Sequence, residues 1–151
     1  MWSLLRFMAT INKTLFERIG GIKTLEKVHK CFYDKAYADP WLKLYFTDKP
    51  QQVLEEQQTT FMAQLTGGPK IYGGKSPKMA HQHMNITEEL FLLRQSLLSQ
   101  SIQEMGISDD LRQEWLNADA ALKNSIVKKS KEECRTAYAT QPILDFANPK
   151  K

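Results

Sequence analysis

The spacing of apolar side chains is the feature that most constrains the fold of this chain. Across its 151 residues they recur at the three- and four-residue intervals of an amphipathic helix, whereas the two-residue alternation of a strand is almost absent. Two clear stripes at helical spacing are Leu25, Val28, Phe32 and Ala36, and Leu111, Trp115, Ala118, Leu122 and Ile126. Such helices bury their apolar faces against one another. The sequence therefore predicts an all-α domain with short 3₁₀ turns at its joints.

Glycines, prolines and capping residues predict the ends of the helices in the first half of the chain. A short helix over residues 13–19 should stop at the glycine pair that follows it. Thr24 is then placed to cap the next helix, which Asp39-Pro40 ends. A third helix is expected over residues 50–65, before a second glycine pair and a proline.

Three helix starts are predicted in the second half of the chain, each at a serine or threonine. A glycine-rich loop leads to Ser76 and Pro77, which start a short helix that carries two histidines. Thr87 opens a longer helix that Gly106 closes, and Ser108 opens the next one. The last eleven residues look irregular, and we expect them either to dock on another surface or to be loose.

Composition narrows the class of protein. The length suits one domain, and a hydrophobic content of 42% is enough for a core without disulfide or metal staples. Cys31 and Cys134 are far apart and form no CxxC motif, so we interpret both as free thiols. No window approaches the roughly 18 apolar residues that a membrane-spanning helix needs, so we expect no transmembrane span.

The net charge of +4 is concentrated at the two ends of the chain. Residues 1–14 carry two basic side chains and no acidic one, and residues 128–151 carry six basic and three acidic ones. Residues 15–127 are left with a net charge of −1, which offers no phosphate-binding footprint and predicts no nucleic-acid partner. We divide the chain accordingly into an N-terminal extension, a globular domain and a basic C-terminal extension.

Polar side chains interrupt the apolar stripe of the helix predicted over residues 50–65. Leu54, Phe61 and Leu65 form the stripe, Gln58 falls on it, and Gln57 lies beside it. An amide buried without hydrogen bonds costs roughly 1–3 kcal/mol, so such a residue is usually satisfied by another side chain or by a ligand. Tyr33 on the preceding helix is a possible partner. Tyr33 and Gln58 bonding each other in an ordinary helical core is the simplest interpretation, and a ligand between them is the alternative.

Seven short motifs carry a resemblance to a known family. They are Leu15-Phe16-Glu17-Arg18-Ile19-Gly20-Gly21, Phe32-Tyr33-Asp34-Lys35, Ala38-Asp39-Pro40, Tyr45-Phe46, Gln57-Gln58-Thr59-Thr60-Phe61, Leu65-Thr66-Gly67-Gly68-Pro69 and Met79-Ala80-His81. In order and spacing they resemble the truncated haemoglobins, and most closely the first group of that family with its ciliate and other protist members. The resemblance covers Leu15 to Val127.

This resemblance implies a fold, a cofactor and a set of site residues. The implied fold is a two-over-two helical sandwich that holds haem b. His81 matches the proximal ligand of the haem iron, and Phe46 matches the aromatic side chain that wedges the haem. The distal-pocket positions are Tyr33, Leu54, Gln57, Gln58 and Phe61. The other cofactor-binding positions are Met79, two residues before His81, and Lys70 and Tyr72 on the glycine-rich loop, where a cation or a phenol suits the haem propionates.

The chain has two other histidines that compete for the role of iron ligand. A neutral imidazole is the usual proximal donor to an iron whose sixth position stays open, and a second acceptor would fix its tautomer. Two residues along a helix is a rotation of about 200°, so His81 and His83 cannot face the same iron. His29, one turn before Tyr33, is the fallback sixth ligand, although a core or surface position is the simpler interpretation.

Two residues depart from the pattern of the family. Leu54 stands where some relatives carry a polar gate, and Arg94 lies in a stretch of the scaffold helix where an apolar residue is usual. We expect Arg94 to reach solvent or a propionate.

Three functions are compatible with these residues. The first is reversible O2 binding for storage, transport or sensing, in which Tyr33 and Gln58 donate hydrogen bonds to the ligand and slow its release. The second is enzymatic, with nitric oxide converted to nitrate or peroxidase chemistry at the same site. Because the chain has no flavin or nicotinamide motif, this would need an external reductase. The third is a structural role as an accessory globin-fold subunit of a mitochondrial membrane complex, held through the two basic ends.

The first ten residues are apolar, basic and free of acidic side chains. That is the composition of a mitochondrial targeting segment, and it predicts a mitochondrial location. A frayed helical N-terminus on a cytoplasmic protein is the alternative.

Overall fold

The computed structural model describes residues 13–151 of the chain, and these residues are helical with one isolated β-bridge. The α-helices of this range are α1 (Leu15–Ile19), α2 (Gly21–Ala38), α3 (Gln51–Leu65), α4 (Pro77–His81), α5 (Glu88–Glu104), α6 (Asp109–Ala120) and α7 (Lys123–Ile126). Two 3₁₀ helices join them, Leu42–Phe46 and Lys131–Glu133. The predicted targeting segment lies outside the described residues.

The junction between α1 and α2 corrects one prediction. Gly20 adopts φ 109°, and α2 begins directly after it at Gly21, so Thr24 lies inside the helix and does not cap it. A Cβ at position 20 would lie only 2.2 Å from the Thr24 hydroxyl oxygen. The left-handed glycine turns the chain without a connecting loop, which is why the helix starts earlier than a capping residue suggests.

The centre of the core is the predicted apolar face of α2. Its members, each at most 2% exposed, are Leu25, Val28, Phe32 and Ala36. Helix α2 packs on both α3 and α5, and α5 packs in turn on α6. The helices α2 and α3 therefore form one packed pair, and α5 and α6 form the other. Asp39 ends α2 as predicted, and its carboxylate accepts the backbone N–H groups of Trp41 and Leu42, where the first 3₁₀ helix begins.

Helix α3 is rotated relative to the prediction. The residues that it buries are Thr59, Met62 and Ala63, whereas Leu65 of the predicted stripe is 40% exposed. Leu54, Gln58 and Phe61 are half-buried. The buried face is therefore displaced by one residue, or about 100° around the axis. On the buried face Thr59 bonds His29 of α2 at 2.7 Å, whereas Phe61 lies toward the glycine-rich loop, where it meets Tyr72 at 5.1 Å between ring centroids.

The predicted caps of α5 and α6 are confirmed, but the stripe after Ser108 does not form one helix. The hydroxyls of Thr87 and Ser108 accept the N–H groups of Leu90 and Leu111. Helix α6 ends at Ala120, and α7 starts at Lys123. The break is a tightened turn in which Leu122 N donates to Asp119 O at 3.1 Å, three residues back instead of four.

The irregular C-terminal segment docks on the body of the same chain. The Trp41 indole N–H donates to the Phe146 carbonyl at 2.8 Å, and the Phe146 ring packs edge-on against Tyr45 at 5.2 Å. Leu144 forms a parallel bridge with Met84. Among residues 13–151, no helix has the length and apolar character needed to cross a membrane.

Candidate haem site

Helix α4 holds His81 at its last position. Ser76 caps this five-residue helix by accepting Met79 N, and Pro77 occupies its first turn. The Nδ1 atom of His81 lies 2.7 Å from the Pro77 carbonyl oxygen. Because a carbonyl only accepts, Nδ1 carries the proton, and Nε2 is left with a lone pair. This is the arrangement that a proximal metal ligand requires.

The surroundings of His81 keep its ring neutral. Burial lowers the pKa of His81 to about 4, against the opposing effect of the bond to Pro77, and the positive charges of Arg94 and Lys128 lower it further. The Lys128 ammonium donates to the carbonyl oxygens of His81 at 2.6 Å, Met84 at 2.8 Å and Ile126 at 2.9 Å. A neutral imidazole is the form that binds iron.

The structure separates His81 from the two competing histidines. His83 lies in the turn after α4, and its carbonyl accepts Leu144 N at 2.9 Å. His29 is a core residue with 1% exposure, because its Nδ1 is 2.7 Å from the Thr59 hydroxyl and its ring packs edge-on against Trp115. The fallback role of His29 as a sixth ligand has no support from these contacts.

Tyr33 is a buried phenol on α2, and its ring meets those of Tyr37 and Phe46 edge-on. Burial raises the pKa of its hydroxyl, so this group is a neutral donor. Within residues 13–151 no hydrogen bond joins Tyr33 to Gln58, and neither side chain has another hydrogen-bond partner there. The simplest interpretation, a Tyr33–Gln58 pair closed on itself, is therefore wrong for this structure. Both donors remain free for a ligand.

Three further distal or wedge positions differ in their burial. Leu54 is half-buried against the core, whereas Gln57 is exposed. Phe46 is half-buried, stacks on Tyr37 at 4.9 Å, and meets Tyr33 edge-on at 6.2 Å. Tyr37 was not among the predicted site residues, although its position one turn after Tyr33 was a usable signal. An aromatic cluster thus holds Phe46 beside the tyrosine.

The residues predicted at the haem edge lie mostly at the surface. Lys70 is exposed, and Met79 is 55% exposed. Tyr72 is half-buried, packs on Phe61, and donates its hydroxyl proton to the Lys75 carbonyl at 2.5 Å. The Tyr72 hydroxyl therefore folds the loop onto itself and is already used as a donor.

Arg94 keeps 24% of its side chain exposed, and a buried carboxylate holds its charged end. Its guanidinium forms two parallel hydrogen bonds with Asp119, at 2.7 and 2.9 Å, and Asp119 is fully buried. The guanidinium also lies over the rings of Phe32 and Phe91, at 5.6 and 5.8 Å from their centroids. Nothing in the sequence pattern paired Arg94 with Asp119. Its charge lowers the pKa values of both Tyr33 and His81.

These donors fit a haem better than a bare metal ion. In the described part of the chain, no group of three or more His, Cys, Asp or Glu side chains is arranged to hold a metal. A porphyrin supplies four nitrogen ligands itself, so a single neutral imidazole is sufficient from the protein. His81 provides it, and the free donors of Tyr33 and Gln58 are available for a small ligand.

Comparison with known proteins identifies this arrangement. The model of the bacterial-like globin family matches residues 14–136. The group 1 truncated hemoglobin of Tetrahymena thermophila is 34% identical over 65% of this chain and 81% of its own length. The GlbN protein of Mycolicibacterium paratuberculosis is 33% identical over 82% of this chain and 90% of its own.

Solved structures agree on the fold. The crystal structure of truncated hemoglobin from Tetrahymena pyriformis in its Fe(III) form matches with a TM-score of 0.74 and 28% identity, over 78% of this chain and all of that one. The predicted all-α, two-over-two architecture is thereby confirmed. The chain belongs to the bacterial-like globins, and within them to the group 1 truncated haemoglobins.

Proposed function

We propose that this globin binds O2 reversibly on haem b, with His81 as the proximal ligand and with Tyr33 and Gln58 as hydrogen-bond donors to the ligand. Membership of the family brings haem b as the cofactor and a diatomic molecule as the ligand. The observation that carries the proposal is the orientation of the His81 ring. Its Nδ1–H donates to Pro77 O, so the lone pair of Nε2 is free to bind iron. Haem supplies an iron with an open position for the diatomic molecule.

Tyr33 and Gln58 set how long the ligand stays. The buried phenol and the half-buried amide have no other hydrogen-bond partner in the described residues, so both can donate to a partly negative ligand. Each such bond is worth about 1 kcal/mol or somewhat more, and about 1.4 kcal/mol is a factor of ten. Two donors therefore slow release by roughly one to two orders of magnitude, which suits storage, transport or sensing.

The first test is the absorption spectrum of the purified protein, oxidised, reduced with dithionite and then exposed to carbon monoxide. We expect a haem band that shifts with carbon monoxide and is lost or strongly altered in His81→Ala. The matched control is His83→Ala, which removes a histidine two residues away and should leave the spectrum unchanged. An unaltered spectrum in His81→Ala would refute the assignment of the proximal ligand.

The distal donors are tested by the rate of O2 dissociation in stopped-flow experiments. Tyr33→Phe combined with Gln58→Ala should raise this rate roughly ten- to hundredfold, because both hydrogen bonds are lost. Gln64→Ala is the control, since Gln64 is exposed on the same helix and stands at no predicted pocket position. Unchanged kinetics in the double variant would remove this role from both residues.

Nitric oxide dioxygenation with an external reductase is the enzymatic alternative, since it would use the same donors. It is distinguished by supplying a reductase and following nitric oxide consumption and nitrate formation under O2. Sustained turnover would make the protein an enzyme, and consumption limited to one equivalent would leave ligand binding as its role.

We also propose a mitochondrial location, which is supported by the acid-free, basic composition of residues 1–10. Fractionation of cells that express the chain with and without these residues tests it, and a cytoplasmic full-length protein would refute it. The alternative role as a subunit of a mitochondrial membrane complex gains no support from the C-terminal segment, because Leu144 and Phe146 pack on the body of the same chain. Co-purification that is lost on deletion of both ends would favour that alternative.

A further inference from the structure

The segment that follows His81 lacks regular secondary structure. Helix α4 ends at His81. The carbonyl groups in the last turn of a helix receive no hydrogen bond from an N–H group of that helix. Without other donors, residues 82–86 would leave the position of the imidazole to one short helix. The polar groups of this segment are therefore informative about what holds the ring in place.

Donors from the C-terminal part of the chain reach almost every carbonyl of this segment. Backbone N–H groups donate to Gln82 O from Arg135 at 2.7 Å, to His83 O from Leu144 at 2.9 Å, and to Ile86 O from Lys128 at 2.8 Å. The Lys128 ammonium donates hydrogen bonds to the carbonyl oxygens of His81 and Met84.

Asn85, the remaining residue of the segment, is a donor in this contact and not an acceptor. Asn85 N donates to Leu144 O at 2.8 Å, and its side-chain amide donates to Asp145 at 3.1 Å. Residues 81–86 are thus bonded at every position to residues 128–145.

Lys128 is the central element of this contact. Its ammonium has three donors, and three carbonyls accept them within 2.6–2.9 Å. One of those carbonyls belongs to His81 itself, and hydrogen bonds from a charged donor are stronger than neutral ones. The side chain is half-buried, so these bonds are partly shielded from water.

We propose that Lys128 is a positioning residue for the proximal ligand, and that residues 128–145 form a clamp that fixes His81 and the segment after it. The clamp acts through the main chain of His81. The proposal rests on the proposed function, since it assigns the clamp to the haem ligand.

The test compares Lys128→Met with the parent in the haem-loaded, full-length protein. We expect haem transfer to an excess of a high-affinity apoglobin acceptor to be at least tenfold faster. We also expect the iron–histidine stretching band of the reduced protein, measured by resonance Raman spectroscopy, to shift or broaden. Lys128→Arg, which keeps the charge and several donors, should recover part of both effects. Lys129→Met is the matched control, because this exposed neighbour uses only its backbone N–H in the fold.

A second variant weakens the clamp without changing Lys128. Leu144→Ala leaves Lys128 intact but weakens the docking of the segment that bonds His83 and Asn85, so it should increase haem loss by a smaller factor. Parental haem loss and an unshifted stretching band in both variants would overturn the proposal. A parent that takes up no haem would instead refute the proposed function, and the two failures are thereby distinguished.

Discussion

Arg94 carries a positive charge into the interior, and Asp119 holds it there. The carboxylate is fully buried and the guanidinium side chain is 24% exposed, and the two are joined by a pair of parallel hydrogen bonds. A buried ion pair of this kind depends on both partners, because the loss of one leaves a charge without compensation. The pair also ties α5 to α6.

Arg94→Met should lower the free energy of unfolding by about 3–5 kcal/mol, since it leaves Asp119 buried and unpaired. Combining it with Asp119→Leu should recover most of the loss, because an apolar pair no longer carries the desolvation cost. Urea unfolding monitored by circular dichroism measures both. Lys30→Met, which breaks an exposed pair with Asp34, is the control and should change stability far less. Equal losses of unfolding free energy in Arg94→Met and Lys30→Met would contradict this prediction.

His29 makes the stability of the fold depend on pH. Burial, aided by the charge of Arg94 and opposed by Asp119, lowers the pKa of His29 from 6.5 to about 3. Below pH 6.5 the unfolded chain binds a proton here while the folded chain does not, so the free energy of unfolding falls as the pH falls. At 1.36 kcal/mol per pH unit, this histidine alone accounts for a loss of about 2 kcal/mol between pH 7 and pH 5.

His29→Gln should remove that part of the pH dependence, because the amide does not titrate and can still bond Thr59. The measurement is urea unfolding of parent and variant at pH 7 and pH 5. Since His81 and His83 are common to both proteins, the difference between them isolates His29. If both lose the same stability over this range, the buried histidine is not the cause.

At the scale of helices, the local signals of the sequence are direct predictors. The hydroxyls of Ser76, Thr87 and Ser108 each cap the helix that follows. A capping bond is made within one turn, so it depends little on distant parts of the chain. Helix α2 starts instead at the left-handed backbone of Gly20, without a capping hydroxyl. The search for a capping side chain therefore assigned its start wrongly to Thr24.

Thr87→Ala should lower the free energy of unfolding by about 1 kcal/mol, because it leaves Leu90 N without its acceptor at the start of the long helix α5. Urea unfolding provides the value. Ser96→Ala is the control on the same helix, since Ser96 is exposed and alanine is the better helix former. A loss of similar size in Ser96→Ala would show that the cap contributes nothing specific.

At the scale of the whole molecule, the C-terminal segment is part of the folded body. It covers the 3₁₀ helix through the Trp41 and Tyr45 contacts with Phe146, and it bonds the segment after His81 through Leu144. These contacts join the first third of the chain to its end. The division of the chain after residue 127 followed the distribution of charge. The packing of side chains does not stop there.

Deletion of residues 143–151 should lower the free energy of unfolding by about 1–3 kcal/mol, since it exposes apolar surface and removes the acceptor of the Trp41 indole. It should also shift the tryptophan fluorescence of the folded protein to longer wavelength. Deletion of 149–151 alone is the control, as it leaves Leu144 and Phe146 in place. Parental emission in the longer deletion would show that the segment does not cover Trp41 in solution.

The candidate site was predictable to the extent that its residues lie in local motifs. Phe46, Tyr33, Gln58 and His81 belong to such motifs, and the structure gives His81 the acceptor at Pro77 that a proximal ligand needs. The orientation of α3 was not predictable, because its buried face depends on the small side chains through which it meets α2. Gln57, which the family resemblance assigns to the distal pocket, is exposed on this helix.

The sequence by itself determined the helices and most of their caps, because these depend on periodicity and on side chains within one turn of each other. The family was indicated by the resemblance of its motifs. Only the tertiary structure decided which polar groups meet. Arg94 finds Asp119 25 residues away, and Lys128 finds the carbonyl of His81 47 residues away. Such partners depend on how helices pack in three dimensions. A charge pattern along the chain carries no information about the distances that packing creates.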